Sequence, residues 1–216
     1  MTDGERYLTA GKYQDAGIQF RNAVQIDKTY AAAHYGLARA YLAVRNQEAA
    51  LREFNETVGL DPANADAQLS LATLLIARQG YDQARLAAQK VLAKDPKSAR
   101  AHEIIGQIDI GTHDFAAAIE ELKKVLDLDP QRIEAYSALG AVYRAAGDTG
   151  AAEASYKRGV DVNPKSSQAR IALAQYWFSQ GKIAEAELQM RVGSDLAPRD
   201  VLPGYSSVTF IWRQVS

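Results

Sequence analysis

The spacing of the prolines is the feature of this 216-residue sequence that most constrains its fold. Five of the six prolines recur every 34 residues, at Pro62, Pro96, Pro130, Pro164 and Pro198. Lys28 stands one period before the first of them, in a similar local sequence. A fixed period of about 20–50 residues is typical of proteins built from repeated small units, so the sequence predicts a repeat array.

Small residues follow the same period. An alanine precedes each of these six positions by 12 residues, at Ala16, Ala50, Ala84, Ala118, Ala152 and Ala186. Glycine or alanine stands 12 residues earlier again, at Gly4, Ala38, Ala72, Gly106, Gly140 and Ala174. Large apolar or aromatic residues usually follow three or four positions later, on the same helical face. A small residue lets two helices approach closely, and its bulky neighbour fills the space beside it.

Each period is therefore predicted to hold two helices and a short turn, which makes the fold class all-α. Proline lacks an N–H and clashes with the preceding turn, so it marks the end of each second helix. The first helices are expected near 31–44, 65–78, 99–112, 133–146 and 167–180. The second helices are expected near 48–60, 82–94, 115–128, 149–162 and 183–196. The glycines expected in the turns are Gly11, Gly80, Gly147 and Gly181.

The predicted domain is an array over residues 1–198, followed by an irregular C-terminal tail over 199–216. Its six units lie at about 1–30, 31–64, 65–98, 99–132, 133–166 and 167–198, and the first is N-terminally incomplete. A coiled coil would show a seven-residue period without regular prolines, and a non-repetitive bundle would not keep one period six times. The sequence therefore favours the repeat array over both alternatives.

The unit 133–166 is the clearest copy of a known pattern. Its defining residues are Tyr136, Leu139, Gly140, Tyr143, Gly147, Ala152, Tyr156 and Pro164. The pattern resembles the tetratricopeptide repeat (TPR) of bacterial proteins, over about residues 1–198. The resemblance implies a right-handed solenoid of antiparallel helix pairs, whose first helices line a concave groove that binds a protein or peptide.

The resemblance also assigns residues to that groove. They are Tyr35, Arg39, Leu42, Leu69, Thr73, Ile76, Arg100, Glu103, Gln107, Ile110, Arg144, Ile171, Gln175 and Phe178. Apolar side chains and charges of both signs suit an extended peptide or an amphipathic helix.

One known TPR subclass binds the C-terminal carboxylate of chaperones. It requires lysine and asparagine, then asparagine, then lysine and arginine, on three successive first helices. The first complete set of equivalent positions here holds Tyr35, Arg39, Ser70, Arg100 and Ile104, and the other two sets match no better. We therefore expect that the chain does not bind chaperone tails in this way.

The sequence contains no convincing catalytic, cofactor or metal site. It has no cysteine, no Gly-x-Ser-x-Gly elbow and no phosphate-binding Gly-x-x-x-x-Gly-Lys loop. His102-Glu103 begins like a zinc-protease motif, but Gly106 replaces the second histidine. His34 and His102 occupy the position where the family often has tryptophan, which indicates a packing role. The formal net charge of −1 disfavours nucleic acid as a partner. An enzyme is not expected.

Asp109 departs from the pattern, because the equivalent positions hold Tyr7, Tyr41, Leu75, Tyr143 and Trp177. A carboxylate there is unfavourable unless it is exposed or paired. Together with Gly111-Thr112-His113, it predicts a local irregularity over 106–114.

The compartment and wider context stay open. No apolar run reaches the roughly 20 residues of a membrane span, so the chain as it stands is expected to be cytoplasmic. A missing upstream export signal would instead make it periplasmic or envelope-associated, as many bacterial proteins of this type are. The chain is interpreted as a non-catalytic scaffold, as a regulatory TPR segment of a larger envelope, secretion or glycosyltransferase-type protein, or as a structural protein that self-associates through uncapped ends. The tail contains Pro203-Gly204 and a β-prone run after it. It is interpreted as an irregular cap on the last repeat, as an apolar segment that promotes self-association, or as an indication that the chain is a fragment or altered reading of a longer protein.

Overall fold

The computed structural model describes residues 2–196, which hold twelve α-helices and no strand. They are α1 (Asp3–Thr9), α2 (Tyr13–Ile26), α3 (Ala31–Ala43), α4 (Gln47–Leu60), α5 (Ala65–Ile76), α6 (Tyr81–Leu92), α7 (Ala99–Gly111), α8 (Phe115–Leu128), α9 (Ile133–Ala145), α10 (Thr149–Val162), α11 (Ser167–Ser179) and α12 (Ile183–Leu196). The all-α prediction is confirmed, and the ten predicted helices end within two residues of their observed ends. The predicted tail, 199–216, lies outside the described residues.

The chain divides into two compact units, residues 1–118 and 119–216, with the boundary inside α8. In the first unit, each of α1 to α6 contacts the next helix along the chain, and α1 also contacts α3, as α5 contacts α7. In the second unit, α9 to α12 contact one another in sequence, and α9 contacts α11. Each unit is therefore a stack of helical hairpins in which first helices contact first helices.

The periodic small residues lie where the helices pack. Five of the six periodic alanines are 0% exposed, and Ala186 is 5% exposed. A Cβ atom added at Gly4 would lie 2.7 Å from the Phe20 ring, and one at Gly140 would lie 2.7 Å from the Tyr156 ring. The rings occupy the space that a larger residue would fill, which confirms the expected pairing of small and bulky residues.

The turn inside each hairpin has one residue with positive φ, and this residue also recurs every 34 positions. The six are Gly11, Arg45, Gln79, His113, Gly147 and Gly181. Gly80, which was also expected in a turn, follows Gln79 at the N-cap of α6 and has φ −78°. Glycine adopts positive φ without the steric clash that other residues suffer, so three of the six turns are strained.

The expected irregularity over 106–114 is absent from the backbone. Helix α7 continues to Gly111, and His113 takes the same positive φ as its counterparts in the other turns. Asp109 is 3% exposed, and its Oδ1 accepts a 2.6 Å hydrogen bond from Nη2 of Arg85 on α6. The carboxylate is therefore buried and paired, one of the two conditions under which it is tolerated.

A repeated hydrogen bond attaches the start of each first helix to the loop before it. The donors are His34, Gln68, His102, Tyr136 and Arg170, and each donates to the main-chain carbonyl six residues earlier in the chain. The distances run from 2.9 Å at Arg170 to 3.3 Å at Gln68. The two histidines thus combine packing with hydrogen bonding, and Nδ1 of the buried His34 also lies 2.7 Å from Oε2 of Glu53.

Candidate functional site

The residues predicted for the groove fall into three rows with a 34-residue period, plus Arg100. We call them the inner row (Tyr35, Leu69, Glu103, Ile171), the middle row (Arg39, Thr73, Gln107, Gln175) and the outer row (Leu42, Ile76, Ile110, Arg144, Phe178). All lie on first helices. The members of α3, α5 and α7 belong to the first unit, and those of α9 and α11 belong to the second.

The inner row is the least accessible of the three. Leu69 is 3% exposed and belongs to the core formed by α5, α6 and α7, so most of its side chain is used in packing. Its three counterparts are half-buried. The sequence did not reveal this difference, because the burial of Leu69 depends on how α6 and α7 pack over it.

Tyr35, in the inner row, contacts both the core and an exposed side chain of the middle row. Its ring contacts Phe54 at a tilted angle, with centroids 6.1 Å apart, and the guanidinium of Arg39 lies 5.5 Å above it. Burial raises the pKa of the Tyr35 phenol, and Asp66 raises it further, while Arg39 and Arg100 act in the opposite direction. The phenol therefore stays protonated at neutral pH and keeps its hydrogen-bond donor.

The middle row is exposed in both units. Arg39, Thr73 and Gln107 stand on α3, α5 and α7 of the first unit, and Gln175 stands on α11 of the second. Thr73 also donates a 2.9 Å hydrogen bond from Oγ1 to the Leu69 carbonyl. This row gives the first unit a polar line along three helices.

The outer row places apolar side chains beside that polar line. Leu42 is 40% exposed, and Ile76 and Ile110 are half-buried, so the first unit has one partly exposed aliphatic side chain on each of three first helices. In the second unit Arg144 is exposed and Phe178 is 52% exposed. Isolated apolar residues on a surface are ordinary, but three at one repeat position form an ordered set.

Two ion pairs connect equivalent positions of successive repeats in the first unit. Arg39 Nη1 lies 3.1 Å from Oε2 of Glu5, and Arg100 Nη1 lies 3.2 Å from Oδ1 of Asp66. The two members of each pair are 34 residues apart, so they hold the same position in successive repeats. Exposed pairs of this kind contribute about 0–1 kcal/mol, so a bound partner can exchange them for its own charges.

The second unit contains a charged cluster with a structural role. Glu153 on α10 accepts hydrogen bonds from Nζ of Lys157 and Lys182 and from Nε1 of Trp177, at 2.8, 2.6 and 3.1 Å. These donors, Lys157 first and Lys182 second, lower the pKa of the Glu153 carboxyl to about 2. The cluster joins α10 to α11 and to the turn after it.

Residues 2–196 contain no group of three or more histidine, aspartate or glutamate side chains placed to hold a metal ion. This part of the chain also has no helix that is both long and apolar enough to cross a membrane.

Several solved structures share this fold. PilW, described as a widely conserved type IV pilus biogenesis factor, matches with a TM-score of 0.78 and 18% identity over 92% of both chains. A tetratricopeptide repeat protein from Parabacteroides merdae ATCC 43184 matches with a TM-score of 0.74 and 18% identity, over 91% of this chain and 77% of that one. MamA from Desulfovibrio magneticus RS-1 matches with a TM-score of 0.70 and 22% identity, over 74% of this chain and 91% of that one. At these identities the likeness establishes the fold alone.

Comparison with curated protein sequences finds no match. Family profiles described as tetratricopeptide repeat match residues 7–58, 45–108 and 137–199, and one described as TPR repeat matches 114–147. Proteins of this family are typically non-catalytic scaffolds for protein–protein interaction. Together with the hairpins and their 34-residue period, these matches show that the chain belongs to the tetratricopeptide repeat family.

Proposed function

We propose that this chain is a non-catalytic scaffold that binds a segment of a partner protein on the first-helix surface of its repeats. The observation that supports the proposal most directly is the pairing of rows on α3, α5 and α7. A polar middle row runs beside an outer row of Leu42, Ile76 and Ile110, which packing leaves partly exposed.

The repeat of these rows indicates the kind of segment that binds. One aliphatic contact and one polar contact recur on each of three first helices, so an elongated segment meets the same pair of contacts three times. An amphipathic helix or an extended peptide presents side chains in this way, at regular intervals along one face. A compact small molecule would use only one such pair.

The test is quantitative affinity capture with a variant that changes only exposed side chains of these rows. Leu42→Ser/Thr73→Glu/Gln107→Glu removes one aliphatic contact and adds two charges, without altering a buried residue. The matched control is Ile18→Ser/Leu86→Ser, on the second helices α2 and α6, where these residues are 49% and 56% exposed.

The expected result is a partner that the unmodified chain and the control capture equally and that the triple variant loses. Circular dichroism must show that all three proteins are folded to the same extent. A partner that the triple variant retains, or that the control loses to the same degree, would refute binding on the first-helix surface.

A further inference from the structure

A cavity of about 270 Å³ lies between α5, α6 and α7 in the first unit. Its walls come from the first turns of α5 and α7 and from the last turn of α6 with the residues after it. Five of the lining residues stand on first helices: Ala65, Asp66, Gln68, Leu69 and Arg100. The cavity thus lies at the N-terminal ends of two first helices of the unit in which partner binding is proposed.

The base of the cavity is apolar. Leu69 and Val91, which are 3% and 6% exposed, belong to the core and also line the cavity. The volume is smaller than the roughly 300–1,000 Å³ of typical small-molecule sites, so it suits one or two amino-acid side chains better than a cofactor.

The rim of the cavity carries an excess of positive charge. Three cationic residues line it, against two carboxylates, although the formal charge of the whole chain is −1. Arg100 is already paired with Asp66, at 3.2 Å. Lys90 and Lys94 are exposed, and neither has an ion pair or a side-chain hydrogen bond within the part of the chain that the structure describes.

Lys90 lies in the last turn of α6, and Lys94 lies two residues beyond the end of this helix. Both line the cavity together with its apolar base. A ligand that satisfies this arrangement combines an anionic group for the lysines with an aliphatic group for Leu69 and Val91.

We propose that this cavity binds an acidic segment of a protein partner, in which a glutamate or aspartate pairs with Lys90 and Lys94 beside an aliphatic side chain. The inference rests on the proposed function, because it specifies the chemistry of a segment of the same partner. It also adds second-helix residues to a site that the family pattern assigns to first helices.

The test uses defined probes and the full chain. The probes are a short fluorescein-labelled peptide of alternating leucine and glutamate and a twin in which every glutamate is glutamine. Fluorescence polarisation measures the binding of each probe. We expect the glutamate peptide to bind the unmodified chain about three- to tenfold more tightly than its twin, since two exposed ion pairs contribute this much. The preference should shrink between about 50 and 200 mM salt.

Two double variants test whether Lys90 and Lys94 cause the tighter binding of the glutamate peptide. Lys90→Gln/Lys94→Gln should bind both peptides equally. The matched control Lys123→Gln/Lys124→Gln removes the same charge from α8, where the lysines pair with Glu120 and Glu121, and should keep the preference. Thermal unfolding must show that both variants are folded.

Three results would overturn the proposal. The first is equal or undetectable binding of the two peptides to the unmodified chain. The second is tighter binding of the glutamate peptide that persists in Lys90→Gln/Lys94→Gln. The third is the loss of this difference in the control variant as well. The variant Leu42→Ser/Thr73→Glu/Gln107→Glu distinguishes failure of the acidic-segment proposal from failure of the proposed function. A captured partner that it loses but that Lys90→Gln/Lys94→Gln retains would support the first-helix surface and refute the acidic site.

Discussion

Arg85 and Asp109 form an ion pair between α6 and α7 in which the carboxylate is buried and the guanidinium is half-buried, and the 24 residues that separate them are a repeated distance in this fold. Glu153 and Trp177 are separated by the same 24 residues and also form a hydrogen bond between successive helices. Leu51 and Leu75, again 24 residues apart, pack on one core. This pair of repeat positions therefore accepts an ion pair, a hydrogen-bonded pair or an apolar pair, provided that the two side chains are chemically complementary.

We predict that Arg85→Leu lowers the free energy of unfolding by about 3–5 kcal/mol, because it leaves the Asp109 carboxylate buried without its partner. Arg85→Leu/Asp109→Leu, which copies Leu51 and Leu75, should recover most of the loss. Urea denaturation followed by circular dichroism measures both values. Arg78→Leu, which breaks a more exposed pair with Glu48, is the control and should change stability by less than about 1 kcal/mol. A double variant as unstable as the single one would contradict the argument.

Gly140→Ala should destabilise the second unit by about 1–3 kcal/mol, because the added methyl group overlaps the Tyr156 ring. That ring stacks on Tyr176 with centroids 5.1 Å apart, so it has little room to move. Gly59→Ala is the matched control, since Gly59 is an exposed residue of α4 with nothing within 4 Å of the added atom. It should stabilise the helix by about 0.5–1 kcal/mol. Thermal unfolding tests both, and equal shifts of the midpoint would show that the Tyr156 contact is unimportant.

Arg45→Gly should stabilise the chain by up to about 1 kcal/mol, because Arg45 has φ +61° at the turn position where three repeats have glycine. The gain is limited by the greater freedom of glycine in the unfolded chain. The reverse change, Gly147→Ala at φ +87°, should destabilise by about 1 kcal/mol even though the site is open. Denaturant midpoints measure both. A loss of stability in Arg45→Gly would mean that its side chain contributes more than the backbone strain costs.

The Glu153 cluster predicts how stability changes with pH. The folded-state pKa of Glu153, about 2, is below its ordinary value of 4.5, so the cluster stabilises the fold fully above about pH 4.5 and loses this effect as the pH falls towards 2. Glu153→Gln should therefore be less stable than the unmodified chain by about 1–2 kcal/mol at pH 7, and the difference should disappear near pH 2. Urea titrations across this range measure it.

The control for this prediction is Glu187→Gln. Glu187 holds the same position one repeat later, on α12, and is exposed. Its substitution should leave the pH dependence of stability unchanged. A constant difference between Glu153→Gln and the unmodified chain from pH 7 to pH 2 would show that the carboxylate is not the group responsible.

The fold was predictable because its determinants are local and repeated. Proline ends a helix wherever it stands, and a small residue at Ala50 or Ala84 permits close packing in each repeat alike. Features that depend on a particular neighbour were not predictable in the same way. Leu69 was assigned to the surface, yet α6 and α7 bury it, whereas its counterpart Tyr35 stays half-buried.

The candidate site was predicted only in part, for a related reason. The family pattern selects first-helix positions, so it identified Arg39 and Arg100 but not the acidic partner Glu5. It also excluded Lys90 and Lys94, which reach the cavity from a second helix and the loop after it. The 34-residue separation of Glu5 and Arg39 and the 24-residue separation of Arg85 and Asp109 were available signals, because they are pairs of complementary residues at fixed repeat offsets.

The hydrogen bonds at the starts of the first helices have a consequence for how such a chain changes over time. Their acceptor is a main-chain carbonyl, which every residue supplies, so one substitution can exchange histidine for glutamine, tyrosine or arginine without any second change. The junction between Arg85 and Asp109 is different, because both side chains must change together. Recombination between α6 and α7 would therefore separate two residues that depend on each other, and recombination between α10 and α11 would likewise separate Glu153 from Trp177.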